Sequence, residues 1–274
     1  YNPFAFMNGL TLKAIPTDIR NGFQIPPIEE FEKAITEKTK AILVCNPGNP
    51  TGTQYSKESM LELGEIARRH DLFLLSDEVY REFCYTDEPH FSAMNIPGLE
   101  QNVILIDSVS KRYNLCGARI GCIVSHNKDV MAAAMKFAQA RLCPPVLGQM
   151  AAIGALDTPD EYFDAVKEEY IKRRDFMIEG LNRMEGVFTP LPMGAFYTIA
   201  ELPVDDTENF ARWMLETFRI DNETTMVTPA ASFYKTPGKG KNHARIAYVL
   251  EIDEMKKALH ILEEGLKAYP GRTL

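Results

Sequence analysis

Short apolar runs alternate with amphipathic stretches along the first half of the chain. Ala41 to Cys45, Leu72 to Leu75 and Val103 to Ile106 are β-prone runs bounded by polar turns, the pattern of strands buried on both faces. Between them, Ser56 can cap a helix running to about His70, with Met60, Leu63, Ile66 and Ala67 on its inner side. A further helix is predicted around Val130 to Leu142, its methionines read as core filling, and Pro144-Pro145 ends it. Strands alternating with helices imply an α/β fold: a mostly parallel sheet sandwiched by helices.

The second half has a different rhythm. Thr158-Pro-Asp-Glu161 has the form of a capping box with proline at the first helical position, so a long helix is expected to run towards Met184, with Tyr162, Val166, Tyr170 and Met177 on one face. Strand-like pieces and turn residues fill Gly186 to Pro203, and a helix from about Thr207 to Phe218 carries the only tryptophan, Trp213. Ala244 to Leu250 reads as a strand, and Ile252 to Ala268 as a final helix with Met255, Leu259, Leu262 and Leu266 at helical spacing. The expected division is a large α/β domain over 1–175 and a smaller α+β domain over 176–274.

Composition narrows the class. A chain of 274 residues with 45% hydrophobic and 25% charged residues can bury a large core. A net charge of −8 argues against broad contact with nucleic acid, and no apolar run approaches a membrane span. The odd set Cys45, Cys84, Cys116, Cys122 and Cys143 contains no C-x-x-C pair, and the histidines form no ligand motif, so no metal site is expected and a cytoplasmic setting fits. The glycine- and lysine-rich loop from Tyr234 to Asn242 lacks the spacing and following helix of a phosphate-binding loop.

The chemistry lies where the apolar runs end. The first leads into Asn46-Pro-Gly-Asn-Pro-Thr-Gly52, a turn stiffened by prolines that can hold Asn49 at a fixed point. The second delivers Ser76-Asp-Glu-Val-Tyr80, and the third leads into Asp107-Ser-Val-Ser-Lys-Arg, with Arg119-Ile-Gly121 behind it. Strand ends of a doubly wound sheet are where ligands bind. An amine at Lys111 among the hydroxyls of Ser108 and Ser110 can hold an aldehyde cofactor, and the Arg119 fork suits a phosphate. Plainer readings stand beside these: Asp77 as a helix cap, Tyr80 as a half-buried aromatic with its hydroxyl in solvent, Asn46 and Asn49 as turn-formers, and Arg245 as an outward charge on a strand.

In order, N-P-G-N-P-T-G, S-D-E-V-Y, S-V-S-K and R-I-G closely resemble the motif set of the fold-type I pyridoxal-phosphate enzymes, and within them the class I and II aminotransferases of the aspartate aminotransferase kind. The resemblance extends through Met193-Gly-Ala-Phe-Tyr197 to His243-Ala-Arg-Ile-Ala-Tyr248. It implies that Lys111 carries the cofactor aldehyde and later moves the substrate's Cα proton, and that Asp77 partners the pyridine nitrogen. Asn49 and Tyr80 would bond the ring's phenolic oxygen, Ser108 and Arg119 the phosphate with Ser110 beside them, and Arg245 the amino acid's α-carboxylate. The activity implied is ping-pong transfer of an amino group between an L-amino acid, aspartate being favoured, and a 2-oxo acid, in a homodimer. The alternatives are a carbon–sulfur lyase using the same cofactor and the effector-binding module of a transcription regulator. The chain opens at Tyr1-Asn-Pro-Phe and reads as starting inside a domain. By the resemblance, the aromatic that stacks on the cofactor and the first part of the large domain lie ahead of Tyr1. Residues 1–274 alone are then expected to be a poor enzyme with exposed apolar surface.

Overall fold

The structure, a computed structural model, describes residues 1–274. Two short helices, α1 (Asn2–Met7) and α2 (Ile28–Ala34), precede β1 (Ala41–Cys45), α3 (Lys57–Arg69), β2 (Phe73–Asp77) and β3 (Val103–Ser108). The single turn α4 (Val109–Arg112), strand β4 (Gly121–Val124), and helices α5 (Lys128–Arg141), α6 (Val146–Ala155) and α7 (Asp160–Arg183) follow. The remainder holds β5 (Tyr197–Glu201), α8 (Thr207–Glu216), β6 (Thr228–Pro229), β7 (His243–Ala247) and α9 (Ile252–Ala268).

The first sheet has the order β1-β2-β3-β4, with β1, β2 and β3 parallel and β4 antiparallel at the edge. Alternation in β1 sends Ile42 and Val44 inward, where they join Met60, Leu63, Ile66 and Ala67 of α3. Those four α3 residues are fully buried, each of the three larger ones contributing roughly 1.5–3 kcal/mol to folding. The α3 terminus is set as its sequence dictates: Ser56 Oγ accepts a bond from the Ser59 amide at 3.2 Å.

The second sheet is antiparallel, in the order β5-β7-β6, with α8 and α9 against it. On α9, Met255, Leu259, Leu262 and Leu266 are all buried, and α7 can approach closely because Gly180 leaves room for Leu259. The apolar cluster here also takes in Tyr80 and Phe83 from the segment after β2, so the seam expected at 175/176 lies inside α7 and within one continuous core.

Several local expectations change. Strands β2 and β3 run on to Asp77 and Ser108, because pairing with their neighbours extends past the apolar residues. Thr158 does not cap α7: its amide bonds Ala155 O in the turn that closes α6, and Pro159 takes the cap position with no side-chain bond. The methionines of α5 do not fill a core. No residue of α5 is buried, and α6, which the sequence pattern did not announce, buries only Gly148. Phe137 and Leu147 are 78% and 80% exposed, and Leu142, Met150, Ile153 and the β4 residues Ile123 and Val124 are exposed with them.

Candidate active site

Strands β1, β2 and β3 end side by side because they are parallel and in register, Cys45 opposite Asp77 and Asp77 opposite Ile106. The segments that follow them emerge at one edge of the sheet. After β1, Asn46 is fully buried and its Oδ1 accepts the Tyr55 amide at 2.9 Å, so this asparagine serves the turn. The turn is closed by Gly52, whose φ of +69° and 2.5 Å separation between an added Cβ and Tyr197 O exclude a side chain. That close approach lets Gly52 O accept the amides of Met193 and Gly194 at 2.8 and 2.9 Å, locking the loop against the segment leading into β5.

Asn49 is left facing outward from this rigid loop. Its Nδ2 donates to Tyr80 Oη at 3.3 Å, and its Oδ1 accepts from Arg245 Nη1 at 3.3 Å. Tyr80 is buried, with Phe196 packed edge-on at 5.2 Å, and its hydroxyl meets protein groups instead of bulk water. Burial first, then the neighbouring Tyr197 hydroxyl, raises the Tyr80 pKa, so its phenol stays protonated. Arg245 lies between two rings, 4.8 Å from Tyr197 and 5.3 Å from Phe233, rather than pointing outward from β7.

Asp77 ends β2, and no helix follows for it to cap. Its Oδ1 accepts the Val79 amide at 3.3 Å, and its Oδ2 accepts the hydroxyl of Tyr1 at 2.6 Å. Tyr1 and Cys45 are site residues that sequence reasoning missed. Burial, and then the Asp77 charge, pushes the Cys45 thiol up to about 11, and burial likewise raises the Tyr1 phenol, so both remain neutral. Strand register offers a signal for Cys45, directly opposite Asp77. Nothing local signals Tyr1, 76 positions away.

Ser108 and Ser110, expected on a loop, are the last residue of β3 and a residue of the helical turn α4. Ser108 is its cap, accepting the Ser110 amide at 3.1 Å while its hydroxyl reaches Ile120 O at 2.8 Å and Ser110 Oγ at 2.7 Å. With the Ser108 proton given to Ile120 O, Ser110 is the hydroxyl free to donate elsewhere once it leaves Ser108. The turn is clamped from below by Arg112, buried, whose guanidinium grips both oxygens of Asp107. Lys111 rises between these anchors, its Nζ 5.7 Å from the Tyr80 ring and 5.6 Å from the Phe196 ring. Arg119, exposed and with φ +57°, bonds only the Cys116 carbonyl at 2.8 Å and does not touch the serines.

The charges divide into two groups. Asp107, Glu82, Arg81 and Arg112 neutralise one another through mutual ion pairs. Asp77, Lys111, Arg119 and Arg245 have no ion-pair partner, although Lys111 contacts Tyr80, Tyr80 contacts Asn49, and Asn49 contacts Arg245. One carboxylate, one amine and two guanidinium groups left without partners suit an anionic ligand bearing an aldehyde, a basic ring nitrogen and a phosphate, together with a carboxylic acid. These residues therefore fit pyridoxal phosphate and an amino acid. None of the five cysteines is in a disulfide, and no cluster of metal-ligating side chains is present.

Known proteins are similar to this chain in sequence and in fold. A putative aminotransferase of Bacillus subtilis, YugH, is 34% identical over 84% of this chain and 58% of its own length. An aspartate aminotransferase of Pyrococcus abyssi is 30% identical over 97% of this chain and 67% of its own. The solved alanine aminotransferase of Pyrococcus furiosus superposes with a TM-score of 0.86 at 29% identity, covering 98% of this chain and 68% of that one. The chain thus spans about three-fifths to two-thirds of the length of these relatives. The model of aminotransferase class I and II, a family whose members use pyridoxal phosphate, matches residues 1–262 and so takes in every strand end described above and Arg245; this chain belongs to that family.

Proposed function

We propose that the protein is a pyridoxal-phosphate-dependent aminotransferase, moving an amino group between an L-amino acid and a 2-oxo acid by a ping-pong cycle. The supporting observation is the set of ionic groups left unpaired around one chain of contacts, Lys111, Tyr80, Asn49 and Arg245, with Asp77 and Arg119 at the adjoining strand ends. Bound pyridoxal phosphate supplies an electron sink for the pair left when the Cα proton departs. Lys111 holds the cofactor and then serves as the base for that proton. Asp77, steadied by Tyr1, would partner the pyridine nitrogen and favour its protonated form. Asn49 and Tyr80 would donate to the phenolic oxygen; Ser110 and Arg119 would receive the phosphate, with Ser108 holding the turn that carries Ser110; Arg245 would receive the α-carboxylate. Aspartate is the favoured amino donor, on the strength of the relatives so named, while an alanine enzyme stands among the structural neighbours.

The test supplies aspartate, alanine and cystathionine separately, each with 2-oxoglutarate and pyridoxal phosphate. Glutamate formed from aspartate with oxaloacetate released supports the reading in full, and glutamate from alanine alone corrects the substrate. Pyruvate released from cystathionine without glutamate would replace it with a lyase.

We further infer a homodimeric, cytoplasmic protein. Apolar side chains left exposed on α5, α6 and β4 offer a surface for association, the thiols are all free, and no helix is long and apolar enough to cross a membrane. The 274-residue chain is expected to migrate above its 30.9 kDa mass in light scattering, and a monodisperse monomer would remove this face as the basis for association.

A further inference from the structure

Tyr197 has no part in the roles assigned above, yet it touches both ends of the site. On β7, Arg245 lies opposite Ile199 of β5, which makes Tyr197, two residues earlier on β5, its diagonal neighbour. The Arg245 guanidinium carbon is 4.8 Å from the Tyr197 ring centroid, and Phe233 covers it from another direction at 5.3 Å. Aromatic faces shield the guanidinium from water while leaving its N–H edge free for an in-plane carboxylate. Only one of those N–H groups is engaged, by Asn49 Oδ1.

The same ring also meets Tyr80, edge to face at 5.9 Å and 87°. Tyr80 accepts from Asn49, and Asn49 accepts from Arg245, so the contacts form a closed circuit: Arg245, Asn49, Tyr80, Tyr197 and back to Arg245. We propose that Tyr197 is a positioning residue that couples the carboxylate fork to the cofactor side of the site, one ring bearing on both the Arg245 guanidinium and the Tyr80 phenol ring. The inference rests on the aminotransferase reading and goes beyond it by giving the Tyr197 ring a task at the carboxylate fork. The raised pKa of Tyr80 agrees, the Tyr197 hydroxyl being a cause second only to burial.

Two variants test the ring. Tyr197→Phe keeps the ring, so the affinity for 2-methylaspartate or 2-methylalanine, which lack a Cα proton and bind without turnover, is expected to stay within about twofold of the parent. Tyr197→Leu removes the ring and should weaken the same ligands by roughly 2- to 30-fold, with cofactor retained. Phe233→Leu removes the half-exposed ring and gives the ring readout without altering the core should the leucine variant fail to fold. A Tyr197→Phe that loses affinity as Tyr197→Leu does, or unchanged affinity in Tyr197→Leu (in Phe233→Leu, should Tyr197→Leu not fold), overturns the inference while leaving the enzyme reading intact. A parent protein that binds no pyridoxal phosphate overturns both.

Discussion

Replacing Lys111 with alanine is expected to leave a folded protein to which pyridoxal phosphate no longer attaches covalently. In the parent, borohydride reduction of the loaded protein followed by peptide mass spectrometry should find the pyridoxyl group on Lys111. In Lys111→Ala it should find none, and turnover should fall by at least about 10²–10⁴-fold, the usual contribution of a positioned acid–base group. The expectation comes from the turn that presents the amine. Ser108 caps α4 on one side of Lys111 and Arg112 grips Asp107 on the other, so the side chain is fixed at its base and lies against Tyr80 and Phe196. A label found on another lysine, with turnover preserved, would refute the assignment.

Arg245→Leu is expected to damage the other half of the site. A carboxylate held by a guanidinium fork makes two charged hydrogen bonds of about 1.5–3 kcal/mol each, so substrate affinity should fall by roughly 10²–10⁴-fold. Leucine can lie between Tyr197 and Phe233 without leaving a buried charge, and cofactor binding should persist. Arg245→Lys should recover only part of the loss, since an ammonium cannot match the planar fork. Equilibrium titration with an unreactive amino acid, read by cofactor absorbance, measures both quantities. Loss of cofactor with substrate affinity unchanged would make Arg245 part of a structural network through Asn49.

The broad architecture was legible because it depends on short-range periodicity. Three apolar runs gave the parallel strands, and helical spacing gave α3 and α9 nearly to their ends, since each of those helices has a partner within the chain. The same reasoning misjudged α5. Its alanines and methionines have the composition of a packed helix, but burial requires a facing surface, and residues 1–274 offer none there. Thr158 shows the complementary limit: a capping pattern is only a local option, and the turn closing α6 took it instead.

The sequence by itself determined which residue types stand at the strand ends, because turn chemistry and apolar runs are encoded within a few positions. Only the tertiary structure decided their partners. Asn46 and Asn49 sit in the same loop, yet one is consumed by the Tyr55 amide and the other reaches Arg245, 196 positions away. Tyr1 meets Asp77 and Tyr197 underlies Arg245 for the same reason. A hydroxyl or a ring is an equally good partner for many groups in solution, and it is the packing of the two sheets, with loop Asn46–Gly52 locked onto the entry to β5, that selects one.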